Sequence, residues 1–150
     1  MTQNITKPIT WILLADGKHA RILCHETIGK ALEIRASFNH EALPTRQLGS
    51  DRPGRVFEST GAMHHSMDNT DWHQEEEENF IHHVAVTIND HALQQHFDRL
   101  ILIAPPHTLG VLRKQLNAHS TAKIIGEVPR NLLHADSRSL KEHLDKIMVV

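Results

Sequence analysis

RLILIAPPHTLGVLRKQL, residues 99–116, is the stretch that decides the fold. After Arg99 its first residues are continuously apolar. They lack the alternation of a strand with one wet face, so residues 99–104 predict a central strand covered on both sides. Pro105-Pro106 ends that strand, because proline has no N–H to offer a ladder. Thr108 then reads as the N-cap of a helix bearing Leu109, Leu112 and Leu116.

Working outward toward the C-terminus, residues 122–128 predict another strand, stopped by Pro129. Ser139 and Glu142 form the pattern of a capping box ahead of a last helix with Leu140, Leu144 and Ile147 on one face. Toward the N-terminus, Phe80, Val84 and Ile88 recur at spacing four, with Ile81, Ala85 and Ala92 beside them. This predicts a helix over residues 75–97. Glu75, Glu76, Glu77 and Glu78 fall in its first turn, where negative charge complements the helix dipole.

The first forty residues have a different period. Residues 10–15 and 19–25 read as strands joined by the tight-turn pair Asp16-Gly17. A second turn falls at residues 28–30. Leu32, Ile34, Ala36 and Phe38 then alternate with polar residues, which predicts a half-buried third strand. Residues 41–73 show neither period and carry Pro44, Gly49, Pro53, Gly54 and Gly61. A loop of this length in a compact domain is usually functional or disordered. The expected fold class is therefore α/β. One domain of 150 residues would hold a mixed β-sheet, an N-terminal antiparallel meander followed by α-β-α-β-α with flanking helices. Right-handed crossovers are expected in its second half.

Composition narrows the function classes. The hydrophobic share of 39% and charged share of 23% are those of an ordinary globular chain. The formal net charge of -2 argues against indiscriminate binding of polyanions. Charge is unevenly spread, however. Residues 59–98 hold no Lys or Arg, while they include Asp68, Asp71, Asp90, Asp98, the four glutamates and half of the 14 histidines. The charge of this middle region should respond to pH between roughly 7 and 5.5. Cys24 is the only cysteine. It reads as a small buried hydrophobe in a reducing compartment. The first apolar run, residues 11–15, is too short for a signal-peptide core or a membrane span. The expectation is a cytoplasmic protein with no membrane partner.

Three constellations are candidates for chemistry. In Ser50-Asp51-Arg52-Pro53-Gly54-Arg55, two guanidiniums flank a Pro-Gly turn, and Asp51 is placed to orient one of them. Arginine forks suit phosphate or carboxylate, so Arg52 and Arg55 are candidate anion or RNA contacts, with Arg46 a weaker one. His107 and Thr108 follow the apolar strand, at the carboxyl end of a strand where ligands of open α/β sheets gather. His64, His65, Asp68, Asp71 and His73 have metal-binding side chains, but their spacing matches no strong metal motif. The three histidines are weak candidates and no metal is expected. The chain has no Gly-rich phosphate fingerprint, hence no expected cofactor, and no GxSxG elbow.

The blocks WILLADGKHARIL (residues 11–23), SDRPGRVF (50–57) and RLILIAPPHTLGVLRKQL (99–116) resemble the bacterial host-attachment protein family, described as required for attachment to host cells. That family is similar in turn to the middle domain of archaeal and eukaryotic class-1 peptide-release factors. The resemblance implies a mixed sheet with flanking helices and a place near the ribosome or tRNA. Release factors carry a Gly-Gly-Gln loop that promotes peptidyl-tRNA hydrolysis. Residues 41–73 occupy the corresponding place and contain no Gly-Gly-Gln, so that activity is not carried over. The expected function is a non-catalytic binding protein that associates with the ribosome or structured RNA through residues 50–57. The alternative is a protein-interaction module that docks a protein partner on the acidic, His-rich region and acts indirectly in attachment. A hydrolase is the third reading.

Overall fold

The computed structural model describes the backbone of residues 8–40 and 68–150, and the side chains of 8–40 and 73–150. Strands β1 (Thr10–Ala15), β2 (His19–His25) and β3 (Glu33–Asn39) come first. Then follow α1 (Asp68–Leu93), β4 (Arg99–Ile103), α2 (Pro106–Gln115), the single-turn α3 (Ala118–Thr121), β5 (Ile124–Val128) and α4 (Ser137–Leu144). The strands form one mixed sheet in the order β3-β2-β1-β4-β5. The meander is antiparallel, while β1 pairs with β4 and β4 with β5 in parallel. The expected α/β class and the mixed sheet are both present.

The β1–β2 turn is fixed by Asp16, whose Oδ1 accepts the amides of Lys18 and His19 at 2.8 and 2.7 Å. The second turn uses Gly29, at φ 89°, a conformation that favours glycine. Strand β4 lies inside the sheet with Leu100, Ile101, Leu102 and Ile103 fully buried, as its unbroken apolar run requires.

Each sheet face has its own core. On the first, Trp11, Leu13, Ile22, Leu100 and Leu102 pack under α1, α2 and α3, with Phe80, Ile81, Val84 and Ile88 as the main contribution of α1. On the second, Ile12, Leu14, Leu23, Ile101 and Ile103 meet Leu133 and the α4 residues Leu140 and Leu144. Helix α4 is 8 residues long against the 26 of α1. The second face is therefore covered over a shorter length.

Expectations about four elements are corrected. Helix α1 starts at Asp68 rather than 75, so residues 68–73 of the expected loop are helical. It also ends earlier, at Leu93, where Gln95 takes φ 60° and the His96 amide donates to the His91 carbonyl. Helix α2 starts at Pro106 with Pro105 as N-cap, so Thr108 lies within its first turn. Proline suits that start because its missing N–H would have no helical partner there. Helix α4 is capped by Asp136, which accepts the Ser139 amide at 2.8 Å, in place of a Ser139–Glu142 box. Finally, the alternation in β3 does not stay on one face. The register with β2 shifts between Ile22 and Leu23, which pair with Ala36 and Ile34. Arg35 is the extra residue of this bulge. Ala36 and Phe38 consequently pack on the first core, whereas Leu32 packs on the second and Ile34 shares the second face with Leu23.

Candidate functional site at the carboxyl edge of the sheet

Parallel β1 and β4 end at the same sheet edge, and β3, antiparallel to β2, ends there too. Three chain segments thus deliver side chains to one place. The β1–β2 turn brings Gly17 and Lys18, the end of β3 brings His40, and the start of α2 brings His107 and Thr108. The amide of His40 donates to the Lys18 carbonyl at 2.8 Å, which ties two of these segments together. Helix α1 passes over the edge with His73, Glu76 and Glu77.

Glu77 is the centre of the arrangement. One carboxylate oxygen accepts the Thr108 hydroxyl at 2.9 Å, and the other lies 3.9 Å from His107 Nε2. Gly17 lets this carboxylate approach, because a Cβ there would stand 2.9 Å from Glu77 Cδ. Glu76 Oε1 lies 3.9 Å from His40 Nε2, and the His40 ring tilts against Phe80 with centroids 6.2 Å apart. Gly17, Lys18, His40, His73, Glu76 and Glu77 line a shallow cleft of about 320 Å³. Both Glu77 oxygens are directed at α2, so the carboxylate clamps α1 to the start of α2. Thr108 is buried and His107 exposed. The edge thus sets the imidazoles of His40 and His107 beside the carboxylates of Glu76 and Glu77, with Lys18 exposed next to them.

Of the residues singled out from sequence, His73, His107 and Thr108 meet at this edge. Arg46, Asp51, Arg52, Arg55, His64 and His65 lie outside the described residues. In sequence the segment that holds them lies between His40 and His73. Among the described residues, no group of three or more His, Cys, Asp or Glu side chains is placed to hold a metal ion. Thr108 is in the expected region with a different task, binding Glu77 rather than capping α2.

The glutamates were misread. With α1 starting at Asp68, Glu76 and Glu77 stand beyond its first turn and reach the cleft. Lys18, His40 and Gly17 were missed as site residues, although Asp16-Gly17 was legible as a turn. Cys24 is buried, as expected. Burial pushes its thiol pKa up, and its S–H donates to Glu26 at 3.6 Å. It is not an activated nucleophile.

The sheet order and the helices on both faces make an α/β domain whose fold matches part of an archaeal translation termination factor. An archaeal termination factor superimposes with a TM-score of 0.50 at 8% identity, over 92% of this chain and 38% of its own. A structure described as an archaeal protein aligns at 16% identity and TM-score 0.43, over 93% of this chain and 34% of its own. The chain thus spans well under half the length of either. The chain belongs to the family described as protein required for attachment to host cells, whose model matches residues 11–144. Comparison with curated proteins finds no match. Among the described residues, no helix is long and apolar enough to cross a membrane.

Proposed function

We propose that this protein is a non-catalytic RNA-binding protein that grips structured RNA, ribosomal RNA in particular, at the carboxyl edge of its sheet. One observation carries this reading. Lys18, His40, His73 and His107, from four different segments, converge on one edge, and the stretch bearing Arg46, Arg52 and Arg55 lies between His40 and His73 in sequence. Phosphate contacts come from such side chains, and arginine forks add geometry to charge. Glu77 does not stand free, since it is held by Thr108 and faces His107, and Glu76 lies 3.9 Å from His40. The fold shared with an archaeal termination factor is consistent with an RNA-rich setting. The absence of Gly-Gly-Gln from the sequence and the engagement of Glu77 speak for binding rather than hydrolysis.

A second reading has its own observation. Glu75, Glu78, His82, Val86 and Asp90 form an exposed stripe along α1, with Val86 apolar and 41% exposed within it. Such a stripe suits a protein partner, through which the chain would act indirectly in host-cell attachment.

Co-sedimentation with purified ribosomes across a salt series separates the two. Binding should weaken steeply with salt. An Arg52→Ala/Arg55→Ala variant should flatten the log–log salt slope by roughly 1.5–2, about one unit or slightly less per phosphate contact. No binding at low salt by the folded protein would overturn the RNA reading and leave the α1 stripe as the surface to pursue.

A further inference from the structure

The second sheet face carries a groove unrelated to the carboxyl-edge site. It runs between α4 and the β2–β3 half of the sheet and measures about 530 Å³, within the range of small-molecule sites. Its floor is Leu14, Leu23, Leu133 and Leu140, all buried. Leu32 and Ile34 form the far wall. Ile34 is 62% exposed and is there because the Arg35 bulge turns it away from the first core. The groove therefore results from two features together, a short α4 and a phase shift in β3.

Its side-chain charge is one-sided. Arg21, Lys30 and Lys141 are the charged side chains that line it, and all are cationic. None of the three forms an ion pair with another described residue. Arg35 and Arg113, which lie outside the groove, are by contrast paired with Glu26 and Glu127. An apolar trough with unmatched cations at its rim complements a molecule with an aliphatic tail and an anionic head. Long Lys and Arg stems can cover part of the tail while their charged ends meet the head.

We propose that this groove is a binding site for a single-tailed amphipathic anion, an aliphatic carboxylate or its phosphate counterpart. The tail lies on Leu14, Leu23 and Leu140 against Ile34, and the head meets Arg21, Lys30 and Lys141.

Isothermal titration with octanoate, decanoate and dodecanoate, each below its micelle concentration, is the test. Decyl phosphate and neutral decanol complete the set. Affinity should rise by up to roughly fourfold per added methylene, the value of one buried CH₂. Decanol should bind at least tenfold more weakly than decanoate. Lys30→Glu/Lys141→Glu, two exposed positions whose exchange leaves the core intact, should weaken decanoate at least tenfold. Ile34→Ser should weaken the longer chains more than octanoate. Decyl phosphate binding with decanoate weak would identify the head as phosphate; the reverse would identify it as carboxylate. Either supports the site when the charge reversal abolishes it. No binding of any anion, affinity unchanged in the charge-reversed variant, or association only with phosphatidylglycerol vesicles would overturn the proposal.

Discussion

The two faces of the sheet are built to different standards. The first is covered by a 26-residue helix whose Phe80, Ile81, Val84, Ala85 and Ile88 are fully buried, with α2 and α3 beside it, and it opens near the end of this buried stretch, in a cleft of about 520 Å³ lined by Trp11, Ile22, Glu26, Arg35 and His91. The second depends on an 8-residue helix and the segments flanking it, and leaves an apolar groove open toward β3. Both faces are apolar in sequence, so hydrophobicity alone does not predict which will be closed. Coverage is set by the length of the helix laid across the face and by the register of the edge strand. The cleft left on the first face is lined by the Glu26–Arg35 ion pair and by His91 and His96, whereas the groove on the second has an apolar floor.

Point substitutions can break this contrast or sharpen it. The largest effect is expected from Phe80→Ala, which empties a fully enclosed site on the first face. It should destabilise by about 3–5 kcal/mol. Leu140→Ala on the second face should cost about 2 kcal/mol, the low end for such a truncation, because it borders the groove. Urea denaturation of both variants measures the difference. Equal losses would mean that the faces are equally well packed.

Asp136→Ala removes the N-cap of α4 and should cost about 1 kcal/mol. It should also loosen the groove wall, visible as faster amide exchange in residues 137–144 with α1 unaffected. Smallest is a pH effect. His25 is buried on the second face with Nε2 lacking a hydrogen-bond partner among the described residues. Burial, and then the Arg99 charge, hold its pKa below the ordinary 6.5. As pH falls, the unfolded chain takes up this proton first, so stability declines below about 6.5 and stops declining once the folded-state pKa is passed. His25→Leu should flatten stability measured between pH 7.5 and 5.5. An unchanged slope would assign the pH dependence to the other histidines.

Much of this fold is legible in the chain because its signals are local. The apolar run of β4, the Asp16-Gly17 turn and the spacing of Phe80, Val84 and Ile88 each report structure within a few residues. Helix starts were less legible. Thr108 and Ser139 are good caps in isolation, but Pro105 and Asp136 were better placed, and the seven α1 residues before Glu75 carry too little apolar period to announce themselves. The bulge in β3 was not legible at all. It is a property of pairing with β2, and Leu32, Ile34, Ala36 and Phe38 look the same with or without it. The carboxyl-edge site was half legible. His107, Thr108 and His73 stood out, whereas the role of Glu77 depends on Gly17 and Thr108, which lie 60 and 31 positions away in the chain.

The bulge has a consequence for how copies of the protein behave toward one another. Strand β3 is an outer strand of the sheet, a place where unpaired backbone groups invite a strand from a second molecule. Here the bulge breaks its regular backbone spacing, and Glu33 and Arg35 charge it, with Arg35 tied back to Glu26 at 2.9 Å. A kinked, charged border is a poor template for strand addition. The same one-residue insertion that exposes Ile34 on the strand's face thus guards its rim against fibre growth.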